Sequence, residues 1–183
     1  NSRAAVFLDR DGTIIEDRGD LSDPAQVVFF RDTVPALRRL AEHFALFIVT
    51  NQPGVAKGTI TIEDVQRVND YVEQCLAAEG APIAATYVCP HQRSSGCQCS
   101  KPNPYFLREV EREFGIDLRR SFVIGDHPHD AELATRVEAT GIYVLSGHGM
   151  KHRGDIAAQT IVVDGIGEAA EQILARISGQ QAG

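Results

Sequence analysis

The sequence predicts an α/β domain, a central parallel sheet with helices on both faces. Three observations carry that reading. Short, wholly apolar runs recur along the chain, as strands covered on both faces do. Between them lie segments with apolar residues at helical spacing, the alternation that builds right-handed βαβ units. The apolar runs also end in polar turns rich in Asp, Asn and Gly, on the carboxyl edge where open α/β sheets hold ligands. With 183 residues, 43% of them hydrophobic, the chain suffices for one domain with a substantial core. No internal repeat or shift of composition marks a second, so one domain is expected over 1–177, with 178–183 a small polar tail that frays.

The first strand is Ala4 to Leu8, and it runs into Asp9-Arg10-Asp11-Gly12-Thr13. Residues 14 to 34 read as a loop with a short extended piece. Pro35 opens a helix to Glu42 with Val34, Leu37 and Leu40 on its apolar face. Phe44 to Val49 is a second buried strand, ending in the polar turn Thr50-Asn51-Gln52-Pro53-Gly54. Thr61 caps a helix over 63–78, with Asp64 completing an imperfect capping box. Cys75 falls at core spacing with Val65, Val68, Val72 and Leu76 and reads as a small core residue. Ala85 to Val88 is a third strand. A helix follows over 104–114, with Phe106, Leu107, Val110 and Phe114 facing inward and Gly115 as its stop. Strands at 121–124, 142–145 and 160–163, with helices at 131–139 and 167–177, complete the alternation.

The formal net charge of -7 disfavours a nucleic-acid or anionic-membrane partner, so an anionic substrate must be held by local donors and metal. No apolar run reaches membrane-spanning length, and no signal peptide opens the sequence. Cys89, Cys97 and Cys99 lie close together, which suggests a metal site in a reducing compartment more than a disulfide framework. The cytoplasm and a monomer are the expectations.

Four strand ends carry reactive side chains: Asp9 and Asp11, Thr50 and Asn51, Lys101, and Asp126 with Asp130. Residues i and i+2 of an extended segment point the same way, so Asp9 and Asp11 can face one site. Two carboxylates that close repel unless a cation neutralises them, and oxygen ligands favour Mg²⁺. For Asp126 and Asp130 the plainer alternative is a helix cap with an acid in the first turn. The second constellation is Cys89, His91, Cys97 and Cys99 in a C-x-H-x5-C-x-C pattern. Three thiolates and an imidazole suit tetrahedral Zn²⁺ with no open position, a structural site stapling the 89–99 loop. The alternatives are reduced surface cysteines or a strained Cys97–Cys99 disulfide. His127, His129, His148 and His152 read as loop residues at a pocket rim, with His127 and His148 near enough for substrate.

Together, D-x-D-G-T, a strand-terminal Thr, a Lys and G-D-x-x-x-D, in that order, resemble the signature of the haloacid dehalogenase (HAD) superfamily. The resemblance implies a Rossmann-like fold and phosphomonoester hydrolysis through an aspartyl-phosphate. Asp9 is then the nucleophile and Asp11 the general acid and base, while Thr50 and Lys101 hold phosphate oxygens. Mg²⁺ falls to Asp9, the Asp11 carbonyl and Asp126, with Asp130 positioned behind Lys101 or a metal-bound water. The segments available for a cap are too short, so a capless pocket walled by loops 14–20, 52–58 and 90–100 is expected. The cysteine pattern is similar to that of the D-glycero-D-manno-heptose-1,7-bisphosphate 7-phosphatases and of histidinol-phosphatase domains. Thr50 to Gly58 looks like the heptose branch, and the short His91–Cys97 spacer like the other. On the heptose reading the substrate contacts fall to Arg10, Asp17, Arg18, Gly19, Asn51, Gln52, Lys57, Ser100 and His127. Ser100 stands where both branches usually carry Arg, His127 where the heptose branch has Lys, and Asp20 where it has Tyr. The expected activity is removal of the 7-phosphate from heptose 1,7-bisphosphate. Histidinol phosphate or another small phosphorylated metabolite is the alternative, followed by a DNA 3′-phosphatase or a non-catalytic zinc module.

Overall fold

The computed structural model describes residues 3–181. Six strands, β1 Ala5–Leu8, β2 Ala45–Asn51, β3 Ala85–Cys89, β4 Phe122–Gly125, β5 Thr140–Val144 and β6 Ile161–Val163, form one sheet. Its order is β3-β2-β1-β4-β5-β6 and every pairing is parallel. The chain winds outward from β1 to β3, then returns to start again at β4. The direction of winding therefore reverses between β1 and β4, the crevice where such sheets bind ligands.

Alternation along the strands decides the layers. Val6, Leu8, Leu46, Ile48, Phe122 and Ile124 point to one face, under α1 Thr33–Ala41, α3 Ile62–Ala78 and α6 Ile166–Gln181. Ala5, Phe7, Phe47, Val49 and Val123 point to the other, under α4 Tyr105–Phe114 and α5 Pro128–Arg136. The central strands are buried on both faces, which is why they read as unbroken apolar runs. Truncating a residue such as Leu8 or Phe47 would cost about 2–5 kcal/mol by cavity formation.

Register then places the chemistry. Leu8 pairs with Ile48 on one side and with Ile124 on the other. Asp9, Thr50 and Asp126 therefore emerge within a residue of one level on the sheet's carboxyl edge, and the Asp9 N–H donates to Ile124 O at 3.0 Å.

Several elements differ from expectation. The turn after β2 contains a four-residue helix, α2 Gly54–Lys57, too short to leave a periodic signal. The first long helix begins at Thr33, whose hydroxyl donates to Ile14 O at 2.7 Å and sets Pro35 inside the first turn. The capping box of α3 is fully reciprocal, with Thr61 N to Asp64 Oδ2 and Asp64 N to Thr61 Oγ1 both 3.0 Å. Cys75 is only half-buried, at the edge of the α3 apolar stripe. Phe114 is 42% exposed rather than inward, although its ring still meets Phe47 edge-on at 5.0 Å. The helix α6 continues to Gln181 because nothing at Ser178 or Gly179 breaks it; the end of the expected tail, 182–183, lies outside the described residues.

Candidate active site

Lys101 is the centre of the site. Its ammonium is nearly buried and donates to Asp9 Oδ1 at 3.0 Å, Val49 O at 2.9 Å and Asp130 Oδ1 at 2.8 Å. Three acceptors satisfy its three protons and fix the head group. Burial would lower its pKa, but Asp130 and Asp9 outweigh that and raise it, so Lys101 stays charged. Burial likewise works against charge on Asp9, and Lys101 more than offsets it, leaving the Asp9 pKa lowered.

Asp130 combines the two alternatives that the sequence leaves open. Its Oδ1 accepts a hydrogen bond from Lys101 Nζ, while Oδ2 accepts from the backbone of His127 at 3.2 Å and closes a capping box on α5. Asp126 is no cap: its Oδ2 accepts from His148 N at 2.9 Å, in the loop after β5. Glycines make room for both carboxylates. A Cβ on Gly12, which sits at φ 81°, would fall 2.2 Å from Asp126 Oδ2, and one on Gly125 would fall 2.1 Å from the Asp130 carboxyl. Those clashes explain the Gly in D-x-D-G-T and in G-D-x-x-x-D.

Carboxylate oxygens of Asp9, Asp126 and Asp130 all lie within 4.8 Å of one another. Three carboxylates facing one ammonium leave two negative charges uncompensated. Burial and the Asp9 carboxylate push the Asp126 pKa up to about 9, and burial raises that of Asp130 to about 6. A cluster that must retain a proton to relieve repulsion, built only of hard oxygen donors, fits a divalent cation.

Asp11 stands slightly apart. Gln52 Nε2 donates to Asp11 Oδ2 at 2.8 Å and to Thr50 Oγ1 at 2.9 Å, tying the two predicted phosphate-handling groups together. Burial raises the Asp11 pKa, with Arg10 opposing and Asp9 adding to the shift, as suits a carboxyl that must carry a proton. The Arg10 side chain stays out of the cavity, so the expected contact of this residue falls to its backbone N–H. The side chain is fully buried, donating to Asn69 Oδ1 at 2.8 Å and to Asp11, so it braces the acid from behind. Asn69, on the inner side of α3, gave no sequence signal because a polar residue in an amphipathic helix reads as solvated.

These groups open into a cavity of about 400 Å³, lined also by Asp17, Gly19, Asp20, Asn51, Pro53, Arg93, His127, His129 and His148. Of the other expected substrate residues, Lys57 and Ser100 line an adjoining cavity of about 300 Å³. Arg18 points away and pairs with Glu16 at 3.3 Å. Loop 14–20 is fastened at two points, Asp17 to His148 Nε2 at 2.9 Å and Asp20 to Thr59 Oγ1 at 2.5 Å. The histidines form a wall: the rings of His127 and His129 stack at 4.4 Å and His152 lies 4.8 Å from His127. Arg93 at the mouth belongs to the 90–100 loop, an expected wall of the pocket, but is not among the expected substrate contacts. Its signal is faint, an Arg inside a small, polar, apolar-free loop.

Cys89, His91, Cys97 and Cys99 converge beside this pocket. Their ligand atoms lie within 4.8 Å of one another, and Cys89 Sγ stands 3.6 Å from both His91 Nδ1 and Cys97 Sγ. Cys99 Sγ stands 3.3 Å from His91 Nδ1, 4.0 Å from Cys97 Sγ and 2.7 Å from Cys89 Sγ. The four donors are thus gathered closely enough to hold a metal, with the Cys89–Cys99 pair closer than two thiolates on a tetrahedral ion would stand. All four cysteines are free, so the Cys97–Cys99 disulfide is not formed.

A parallel sheet whose switch point holds a strand-terminal Asp-x-Asp pair, a buried Lys and a second acidic pair defines a HAD-like phosphatase. The family model for HAD-hydrolase-like proteins matches residues 98–169. The D-glycero-beta-D-manno-heptose-1,7-bisphosphate 7-phosphatase of Photorhabdus laumondii is 34% identical over 167 residues, covering 86% of this chain and 89% of its own. That of Escherichia coli is 30% identical, covering 86% and 87%. The crystal structure of the D,D-heptose 1,7-bisphosphate phosphatase of Bordetella bronchiseptica, complexed with magnesium and phosphate, superposes with a TM-score of 0.87 at 27% identity, over 94% of this chain and 99% of that one. The chain belongs to the family of these heptose bisphosphate phosphatases.

Proposed function

We propose that the chain removes the 7-phosphate from D-glycero-D-manno-heptose 1,7-bisphosphate by way of an aspartyl-phosphate on Asp9. The observation that carries the reading is the Lys101–Asp9–Asp126–Asp130 cluster at the switch point, in a chain whose relatives bear that activity in their names. In the first half-reaction an Asp9 oxygen attacks phosphorus, the bond from phosphorus to the sugar oxygen breaks, and Asp11 gives that oxygen its proton. In the second, Asp11 takes a proton from water, the water oxygen bonds to phosphorus, and the Asp9–phosphorus bond breaks. Gln52 and Arg10 hold Asp11 for both transfers. Lys101 and Thr50 balance charge on the equatorial oxygens.

Asp9, Asp126 and the Asp11 carbonyl would hold Mg²⁺, which when bound supplies charge neutralisation on the transferring group. Cys89, His91, Cys97 and Cys99 would hold a structural Zn²⁺. Four free cysteines support a reducing, cytoplasmic setting. We read the enzyme as a monomer that acts on small phosphorylated metabolites and not on nucleic acid.

The test is phosphate release from the heptose bisphosphate with Mg²⁺ present, in wild type and in Asp9→Asn. Wild type is expected to turn over, and the variant to lose activity on the order of 10⁴-fold or more, as removal of a nucleophile does. Turnover retained in Asp9→Asn would exclude Asp9 as the nucleophile.

A further inference from the structure

We propose that Arg93, which with Lys57 lines the cavity beside the catalytic one, determines specificity by binding a second phosphate on the substrate. This deepens the function proposed above and rests on it. Arg93 lines both cavities, which also share Asn51 and Pro53, so the two are continuous. The catalytic pocket is shut at its floor by Lys101, so a phosphate bound there must leave the rest of its molecule pointing outward.

The two sides of that exit differ in charge. One wall is the 14–20 loop, which presents Asp17 and Asp20. Their carboxylates repel an anion but accept hydrogen bonds from hydroxyls. The adjoining cavity presents Arg93 and Lys57 together with Ser94 and Ser100. Neither cation has a carboxylate partner among the described residues, whereas Arg18, Arg38, Arg67, Arg108 and Arg136 each do. Arg93 is also close enough to His127 to help lower its pKa, so its positive field reaches the catalytic mouth. A substrate with a phosphate at each end and hydroxyls between matches this layout. Its reacting phosphate meets Lys101, its hydroxyls Asp17 and Asp20, and its far phosphate the Arg93–Lys57 pair.

The position before Lys101 carries no charge here, and the zinc-pattern loop delivers a guanidinium to the neighbouring space from its tip. The Cys/His cluster therefore positions a specificity group as well as a loop.

The experiment compares Arg93→Gln, Lys57→Gln and Arg93→Lys with wild type on heptose 1,7-bisphosphate, heptose 7-phosphate and para-nitrophenyl phosphate. Arg93→Gln and Lys57→Gln are expected to lower kcat/KM for the bisphosphate about tenfold each, mainly through KM, as loss of a charge-assisted phosphate contact does. Both single-phosphate substrates should change less than about twofold, and Arg93→Lys should recover part of the bisphosphate loss. An equal fall on all three substrates, or none on the bisphosphate, overturns the proposal. If wild type fails to hydrolyse the heptose bisphosphate, the proposed substrate is wrong, and the subsite is judged by competition against para-nitrophenyl phosphate turnover. Fructose 1,6-bisphosphate inhibiting wild type more strongly than fructose 6-phosphate, with the difference gone in Arg93→Gln, upholds it. Equal inhibition of wild type by the two overturns it.

Discussion

Two polar clusters share one edge of the sheet, and they are held in opposite ways. In the Asp9–Lys101–Asp126–Asp130 cluster the two acids that follow β1 and β4, Asp9 and Asp126, are set by strand register. Asp130 stands in the first turn of α5 and Lys101 in the turn after the 90–99 loop, and every member is tied to backbone or to another member. The Cys89–His91–Cys97–Cys99 cluster has only its first ligand on a strand. The loop from 90 to 99 contributes no buried side chain and closes only a single 3₁₀ turn, Arg93–Ser95. Where strand register supplies the geometry, a site is pre-organised before any ligand arrives. Where loop entropy opposes it, the ligand must supply the geometry.

The sharpest way to break that contrast is to uncouple charge from register. Lys101→Met leaves buried carboxylates without their cation, and should abolish turnover and cost about 3–5 kcal/mol in urea unfolding. Adding Asp130→Asn to it should recover much of the stability and none of the turnover. Recovery of turnover in the double variant would show that Lys101 serves folding alone.

A smaller effect is expected from Cys97→Ser. Metal content by mass spectrometry should fall together with the melting temperature, by roughly 2–4 °C per kcal/mol lost. Para-nitrophenyl phosphate turnover should fall much less than in Lys101→Met. Unchanged metal content would refute the assignment of Cys97 as a ligand.

The smallest expected effect is a slope in pH. His127 has its pKa lowered to about 4 by burial, with Arg93 and His152 adding to it, and its Nδ1 accepts from His129 N at 3.2 Å to cap α5. Protonation removes that acceptor. Because the unfolded chain binds the proton more readily than the folded one, stability is full above the ordinary histidine pKa of about 6.5 and declines as pH falls from there toward about 4. His127→Asn keeps a capping oxygen without the titration and should flatten that part of the melting-temperature profile; an unchanged slope would assign it to other groups.

Much of the fold was legible because parallel strands buried on both faces leave apolar runs that helices cannot imitate at that length. The alternation then implied the topology, and the strand-end polar residues named the chemistry. The course of the Arg10 side chain is not legible beside its catalytic neighbours in sequence. Only the buried acceptor on Asn69, 59 positions away, turns it inward. Arg93 lies in the 90–100 loop, an expected wall of the pocket, but the sequence does not mark which side chain of that loop turns toward the cavity. The short helix α2 and the continuation of α6 to Gln181 were likewise invisible, for want of enough turns to show a period or of a residue to stop one.

The sequence by itself determined which atoms can react: a carboxylate pair that needs a cation, an ammonium that must be buried with acids, and a thiolate–imidazole set that wants a tetrahedral metal. Those follow from residue chemistry and short-range spacing, which the chain carries locally. Tertiary structure alone decided which side chains share a space. It put Asp130 on Lys101 and on the cap of α5 at once, turned the Arg10 side chain away from the pocket, and brought Arg93 and Lys57 to the lining of one cavity. Such pairings depend on strand register and loop course, set by the packing of the whole core rather than by any one segment.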